Sequence, residues 1–244
     1  MAYITSNKNQ NWLLPLSIRD IIPENHICFM VEEFVESLDF SKFDMLYDGA
    51  GHPAYHPRII MKIIIQGMLY KVRSSRKLAS ACRESFVFMY LAEKVQPDFR
   101  TIARFRKDNA VFVKNAFKKT VEIANKNKLV DLSFISIDGS MLKANASKKK
   151  YFDKKNLDKL DKAIDKMVDD DIRLDELEEE LFGDREEGLT GIDERDLRRI
   201  VRDYRESDNK KKIKKKIKRA KGELEKYFLK KSSISDPESR MMQN

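Results

Sequence analysis

Cysteine, glycine, proline and tryptophan are all scarce in this sequence, at two, eight, six and one among 244 residues. Two cysteines, Cys28 and Cys82, make no disulfide framework, and without a Cys-x-x-Cys spacing they offer no zinc or redox motif. Both are expected as small core residues in a reducing compartment. Average usage would supply roughly twice the glycine and proline, so the chain is short of the residues that turns and strands require. A mainly helical fold follows. Long hydrophobic runs are also missing, because the most apolar stretch, residues 59–70, is interrupted by Lys62 and Gln66. Residues 1–8 lack the charged-then-apolar pattern of an export signal. The expectation is a cytoplasmic protein with no membrane partner.

Charge, by contrast, is plentiful and uneven. Lys and Arg number 49 against 40 Asp and Glu, a net +9, and 36% of positions are charged, where an ordinary soluble domain carries about 25%. Residues 50–130 hold 17 basic and five acidic side chains while keeping a periodic apolar pattern. That combination points to a folded polyanion-binding module rather than a disordered tail. Beyond residue 148 the charges nearly cancel, with an acid-rich arm from Asp165 to Asp196 preceding a lysine run from Lys210 to Lys221. Opposite charges separated by a turn predict two arms folded on each other.

Periodicity places the elements. Residues Ile18 to Phe40 read as helix, with Pro23-Glu24 fitting a first turn and Ile27, Met30, Val31, Phe34, Val35 and Leu38 on one face. Pro57 opens a helix striped by Ile60, Ile63, Ile64, Gly67 and Met68. Ser75 is positioned to cap a short helix, Ser85 another, and Pro97-Asp98 begins a third. In that third helix Phe99, Ile102 and Phe105 face inward, while Arg100, Arg104 and Lys107, spaced by four and three, line the outer face. A long helix runs from about Ala110 to Lys128. From Leu132 to Asn145 the period changes, and β-branched residues around Asp138-Gly139 read as strand, tight turn and strand. Leu157, Leu160, Ile164, Met167, Leu174, Leu177 and Leu181 then repeat at near-heptad spacing, as do Leu197, Ile200, Val201, Tyr204, Ile213 and Ile217. A long antiparallel helical hairpin is the economical reading.

A helix in the DNA major groove needs cations on one face for phosphates and polar side chains for base edges. Arg100, Thr101, Arg104, Arg106 and Lys107 supply both kinds. Arg73, Arg76, Lys77 and Arg83 lie just before them, on short helices joined by small polar residues, so the arrangement resembles a helix-turn-helix. The plainer alternative is a solvated basic face on a packed helix. Asp138, ending an apolar strand before Gly139, presents a carboxylate where a divalent cation can be held, although an Asp-Gly turn residue has the same pattern. His52 and His56 have a ligand-like spacing, but Pro53 and Pro57 break the helix it would need, so both read as turn residues. His26 reads as packing, and the lysine run as a solvated face pairing with the acidic arm.

Several phrases occur together and in order. They are Tyr55-His56-Pro57-Arg58, Arg73-Ser74-Ser75-Arg76-Lys77-Leu78, Ala81-Cys82-Arg83-Glu84, Pro97-Asp98-Phe99-Arg100-Thr101-Ile102-Ala103-Arg104-Phe105-Arg106, Ile137-Asp138-Gly139-Ser140, Lys143-Ala144-Asn145-Ala146-Ser147 and Asp236-Pro237-Glu238-Ser239-Arg240-Met241-Met242. Together they resemble bacterial insertion-sequence transposases, which have an InsH-like N-terminal domain and a DDE catalytic domain of ribonuclease-H-like fold. The resemblance implies a helical domain over 1–130 that binds terminal inverted repeats in double-stranded DNA. It implies the first two catalytic-domain strands over 131–147, a charged helical hairpin insertion over 148–231 and a return to the sheet over 232–244. It further implies that Asp138 is the first catalytic and metal-binding aspartate, that the intact family uses Mg²⁺ or Mn²⁺, and that the protein is nucleoid-associated.

The sequence stops at Asn244, just after the last of these phrases and before the strands and the two later carboxylates that such relatives carry. Two metal ions about 4 Å apart require more than one carboxylate, so the expectation is a chain that binds transposon ends, holds no metal stably and is catalytically incompetent alone. Two further readings stand beside it. One is a DNA-binding regulator that competes with intact transposase or forms mixed or homo-oligomers with it; the other is a helical protein-interaction module whose basic face is incidental.

Overall fold

In a computed structural model, residues 17–46, 55–126, 134–137, 140–143, 154–186, 188–189, 199–201, 215 and 217 are described. The molecule is mainly helical, as the shortage of glycine and proline requires. The expected helix from Ile18 to Phe40 is divided into α1, Ile18–Ile21, and α2, Ile27–Glu36. Proline supplies no N–H and pushes its predecessor out of the helical region, and Ile22, just before Pro23, is extended at φ −88 and ψ 130. His26 restarts the chain as the cap of α2: its Nδ1 accepts the Cys28 N–H at 3.1 Å, and its other ring nitrogen meets the Tyr70 hydroxyl at 2.8 Å.

After α3, Ser41–Leu46, the central helix α4, Pro57–Leu69, carries Pro57 in its first turn, where the missing N–H costs nothing, and His56 caps it by accepting the Arg58 N–H. Burial runs nearly all round α4, from Pro57 through Gly67. Inside it Lys62 survives burial because its Nζ meets Glu36 at 2.7 Å and Glu93 at 3.2 Å. Gly67 lets α4 approach its successor closely, since a Cβ there would stand 2.4 Å from Leu78 Cδ2 and 2.9 Å from the Val72 carbonyl oxygen.

Three short helices follow: α5, Ser75–Glu84; α6, Phe86–Leu91; and α7, Phe99–Asp108. Ser74, not Ser75, caps α5 by accepting the Lys77 N–H, one residue earlier than expected, because Ser75 is committed elsewhere. Ser85 precedes α6 without a side-chain cap bond. Asp98 caps α7, accepting the Thr101 N–H at 2.9 Å. Cys28, Val31, Val35, Ile63, Leu78, Cys82, Phe88, Leu91, Ile102 and Phe105 form one core with Val113, Ala116 and Phe117 of α8, Ala110–Lys126. Both cysteines are therefore small buried residues, as expected.

Two four-residue strands, β1 (Phe134–Ile137) and β2 (Ser140–Lys143), pair antiparallel with Ile137 opposite Ser140. The 29-residue helix α9, Lys154–Phe182, then returns to the helical domain. Ile164 and Val168 enter the main core, whereas Leu174 and Leu177 join a second cluster with Leu189, Ile200, Val201 and Ile217. Most of the expected second arm of the hairpin lies outside the described residues.

Candidate nucleic-acid interface

The basic surface nominated from sequence is assembled by α5 and α7, and α8 extends it. Helix α7 buries Phe99, Ile102 and Phe105, so the spacing of three and four puts Arg100, Arg104 and Lys107 outward. The Arg76 guanidinium lies over the Phe99 ring at 3.9 Å, a cation–π contact that joins α5 to α7, and that of Arg100 lies 5.5 Å from the same ring within α7. Lys114 and Lys118, one turn apart on α8, continue the row; sequence reading passed over both because the long helix was judged on its apolar face alone.

This surface is not open. Helix α9 lies along it with carboxylates against cations in antiparallel order: Asp165 meets Lys118 at 2.9 Å, Asp169 meets Lys114 at 2.7 Å and Glu176 meets Lys107 at 2.7 Å. Glu179 bridges Arg76 at 3.1 Å and Arg100 at 3.3 Å. The turn after α9 adds Asp184 on Arg100 and Glu186 on Arg83, the latter at 2.7 Å. The acidic arm was expected to pair with the lysine run. Asp170 pairs with Arg173 on α9 itself, and the ion pairs given above run to the N-terminal helices, whose cations stand in a fixed row that matches the helical rise of the acids; the lysine run, apart from Lys215, lies outside the described residues, and so does any pairing with it.

At the centre the contact is buried. Asp175 accepts hydrogen bonds from the Ser75 N–H at 2.8 Å, the Ser75 hydroxyl at 2.7 Å and Arg106 Nη1 at 2.7 Å. Arg106 also donates to the Arg73 carbonyl at 3.0 Å. Arg73 donates its Nε to Asp171 and its Nη2 to the Met167 carbonyl. Glu178 accepts from the Ser74 hydroxyl and, at 2.7 Å, from the Leu189 N–H. Burial pushes the Asp171 carboxyl up to about 6 despite the lowering by Arg106 and Arg73. Asp175 and Glu178 are raised for the same reason, with Arg106 and Ser74 respectively opposing it. Burial also lowers the Lys77 ammonium, against the pull of Glu178.

The nominated residues therefore divide. Arg73, Arg76 and Arg106 are held inside the α9 contact; Arg83, Arg100 and Lys107 are paired at its edge. Thr101 is half-buried, with its hydroxyl on Asp98 at 3.3 Å, and so serves the start of α7. Arg104 is exposed and has no ion-pair partner among the described residues. Asp138 lies outside the described residues, as does His52. Sequence reading missed Ser74, Ser75, Asp171, Asp175 and Glu178. The available signal was phase, because residues 164, 168, 171, 175 and 178 are one continuous stripe at spacings of four and three, aliphatic at one end and acidic at the other.

Among the described residues no group of three or more His, Cys, Asp or Glu is placed to hold a metal ion. The three buried acids of α9 are each already bonded to serine, arginine or a backbone N–H, so no metal-dependent step is assigned to them. No helix among the described residues is long and apolar enough to cross a membrane. Neither a comparison with curated proteins nor one with solved structures gives a match. Residues 16–108, the segment that ends with α7, match the family model described as Transposase domain (DUF772), and this match supports a transposase-related function.

Proposed function

We propose that this chain grips double-stranded DNA for a transposase, using the basic face of α5, α7 and α8 along the phosphate backbone. One observation carries the reading: the segment that matches a transposase family model, 16–108, contains all nine residues nominated for DNA contact, from Arg73 to Lys107. Arginine and lysine at helical spacing donate to phosphates and fix register, and the exposed Arg104 on α7 is the side chain nearest to a base-reading role. The proposed target is the terminal inverted repeat of an insertion sequence, with an intact transposase or a second copy as protein partner. Within the same reading the domain is InsH-like, and Asp138 is the first carboxylate of a DDE site that needs further carboxylates and Mg²⁺ or Mn²⁺ to act.

The test is fluorescence anisotropy with a labelled 30-base-pair duplex between 50 and 200 mM KCl, followed by selection from a randomised duplex pool. Expected are a log affinity that falls linearly with log salt and enrichment of a defined sequence. Absence of binding at 50 mM KCl, by this chain and by a variant whose edge carboxylates on α9 and the turn after it are neutralised, overturns the reading. Asp138→Ala should leave the affinity unchanged.

A further inference from the structure

We propose that the acidic face of α9 and a DNA backbone are rival occupants of one surface, so that the folded chain is closed to DNA until α9 lifts away. The inference rests on the DNA-binding reading above. Six of the nine nominated residues, Arg73, Arg76, Arg83, Arg100, Arg106 and Lys107, already donate to carboxylates of α9 or of the turn that follows it. So do Lys114 and Lys118. A phosphate oxygen needs the same N–H donors in the same directions as a carboxylate oxygen, and one donor set cannot serve both.

The make-up of the contact favours a separable cover over a permanent wall. Its centre sets Asp171, Asp175 and Glu178 against Arg73, Arg106, Ser74 and Ser75, all buried or nearly so. A helix that never left this position would be held at least as firmly by aliphatic side chains, since a buried ion pair gains little over an apolar pair of the same volume. A charged interface has a different property: both halves are hydrated when apart. The edge of the contact is accessible to competitors, because Lys107 and Glu176 remain 61% and 52% exposed while paired, and Glu186 70% exposed. Such pairs are weak and salt-screened, and a duplex can displace them one at a time from the edge inward.

The test uses the full chain. Glu176→Gln, Asp184→Asn and Glu186→Gln together remove edge partners of Lys107, Arg100 and Arg83 and spare the buried centre. Glu24→Gln, Glu33→Gln and Asp39→Asn together make the same change in net charge at exposed carboxylates of the N-terminal segment, none of them on α5, α7, α8 or α9. Binding of a labelled 30-base-pair mixed-sequence duplex at 100 mM KCl is compared for the native chain and both variants, with folding checked by circular dichroism. The edge variant is expected to bind at least fivefold tighter than the charge-matched control. Equal affinity of the two variants overturns the rivalry and leaves DNA binding standing. Failure of all three proteins to bind even at 50 mM KCl removes the DNA reading itself, and the rivalry with it. Should the edge variant not fold, hydrogen exchange on the native chain decides: amides of 165–182 are expected to lose protection when the duplex saturates, and unchanged or greater protection overturns the proposal.

Discussion

Arg106 and Asp175 form an ion pair closed to solvent, with side chains 2% and 6% exposed and Nη1 at 2.7 Å from Oδ2. They lie 69 residues apart, on α7 and α9, and the Ser75 N–H and hydroxyl complete the carboxylate's shell. This pair ties the acidic helix to the helical domain more tightly than any contact at the edge.

Breaking a buried pair from one side leaves an uncompensated charge, which costs about 3–5 kcal/mol. Asp175→Ala should therefore lower the free energy of unfolding in urea by about 3 kcal/mol or more. The double variant Arg106→Leu with Asp175→Leu should lose clearly less than the two single changes together. Strict additivity in that cycle would mean that the two groups do not sense each other.

Asp171 gives the contact a pH dependence. Its carboxyl is raised from an ordinary value of 3.8 to about 6, burial being the main cause and the neighbouring Asp175 adding to it against Arg106 and Arg73. The folded chain thus holds this proton more tightly than the unfolded one, and the associated stability, of order 3 kcal/mol, is fully present below the ordinary carboxylate value and lost as pH rises through about 6. Protection of α9 amides should be greater at pH 4.5 than at pH 7.5, once corrected for intrinsic exchange. Asp171→Asn should flatten the dependence; a variant with the native slope would assign it to other groups.

Arg104 and Arg106 should behave oppositely although they are neighbours. Arg104 is exposed and unengaged among the described residues, so Arg104→Ala should leave the urea midpoint unchanged, weaken duplex binding and reduce the salt slope by about 0.9. Arg106→Ala should destabilise the fold. A loss of stability in Arg104→Ala, or none in Arg106→Ala, would reverse the assignment of inner and outer cations.

Gly67→Ala tests the approach of α4 to α5. The new methyl would meet Leu78 Cδ2 at 2.4 Å and the Val72 carbonyl oxygen at 2.9 Å. The leucine end can turn aside but the backbone oxygen cannot, so about 1–3 kcal/mol of destabilisation is expected even though alanine is the better helix former. An unchanged denaturation midpoint would show that the helices are free to part.

The cysteines should be inert. Cys82 is 1% exposed and burial pushes its thiol up to about 12, while Cys28 is fully buried and raised in the same direction. Neither should react with a disulfide reagent at pH 8 until denaturant is added. Rapid labelling of the native protein would contradict this packing.

Much of the helical domain was legible because its signals are local. Pro57 at the head of α4, Asp98 as the cap of α7 and the inward triad Phe99, Ile102 and Phe105 each depend on residues within one or two turns. The break at Pro23 was equally local and legible only in part, since Pro23-Glu24 fits a first turn while the apolar spacing also runs the helix back to Ile18. The covered surface was not legible in the same way. Phase puts the acids at 171, 175 and 178 on the stripe that begins with Ile164 and Val168, but it does not say that their partners lie on α5 and α7, and the usual expectation that a charge stays in water is correct until a partner is supplied.

Which segments are helical, which face of each is apolar, and that positive charge is concentrated between residues 50 and 130 were all readable from the order of the amino acids. Spacing, caps and composition act over a few residues and need no knowledge of the rest of the chain. What that charge faces was set by long-range packing. Arg73, Arg76 and Arg106 become buried or nearly so because α9 returns from 69 to 103 residues away with carboxylates in matching phase. A charge leaves water only when its counter-charge arrives with it, and that meeting is a property of the fold.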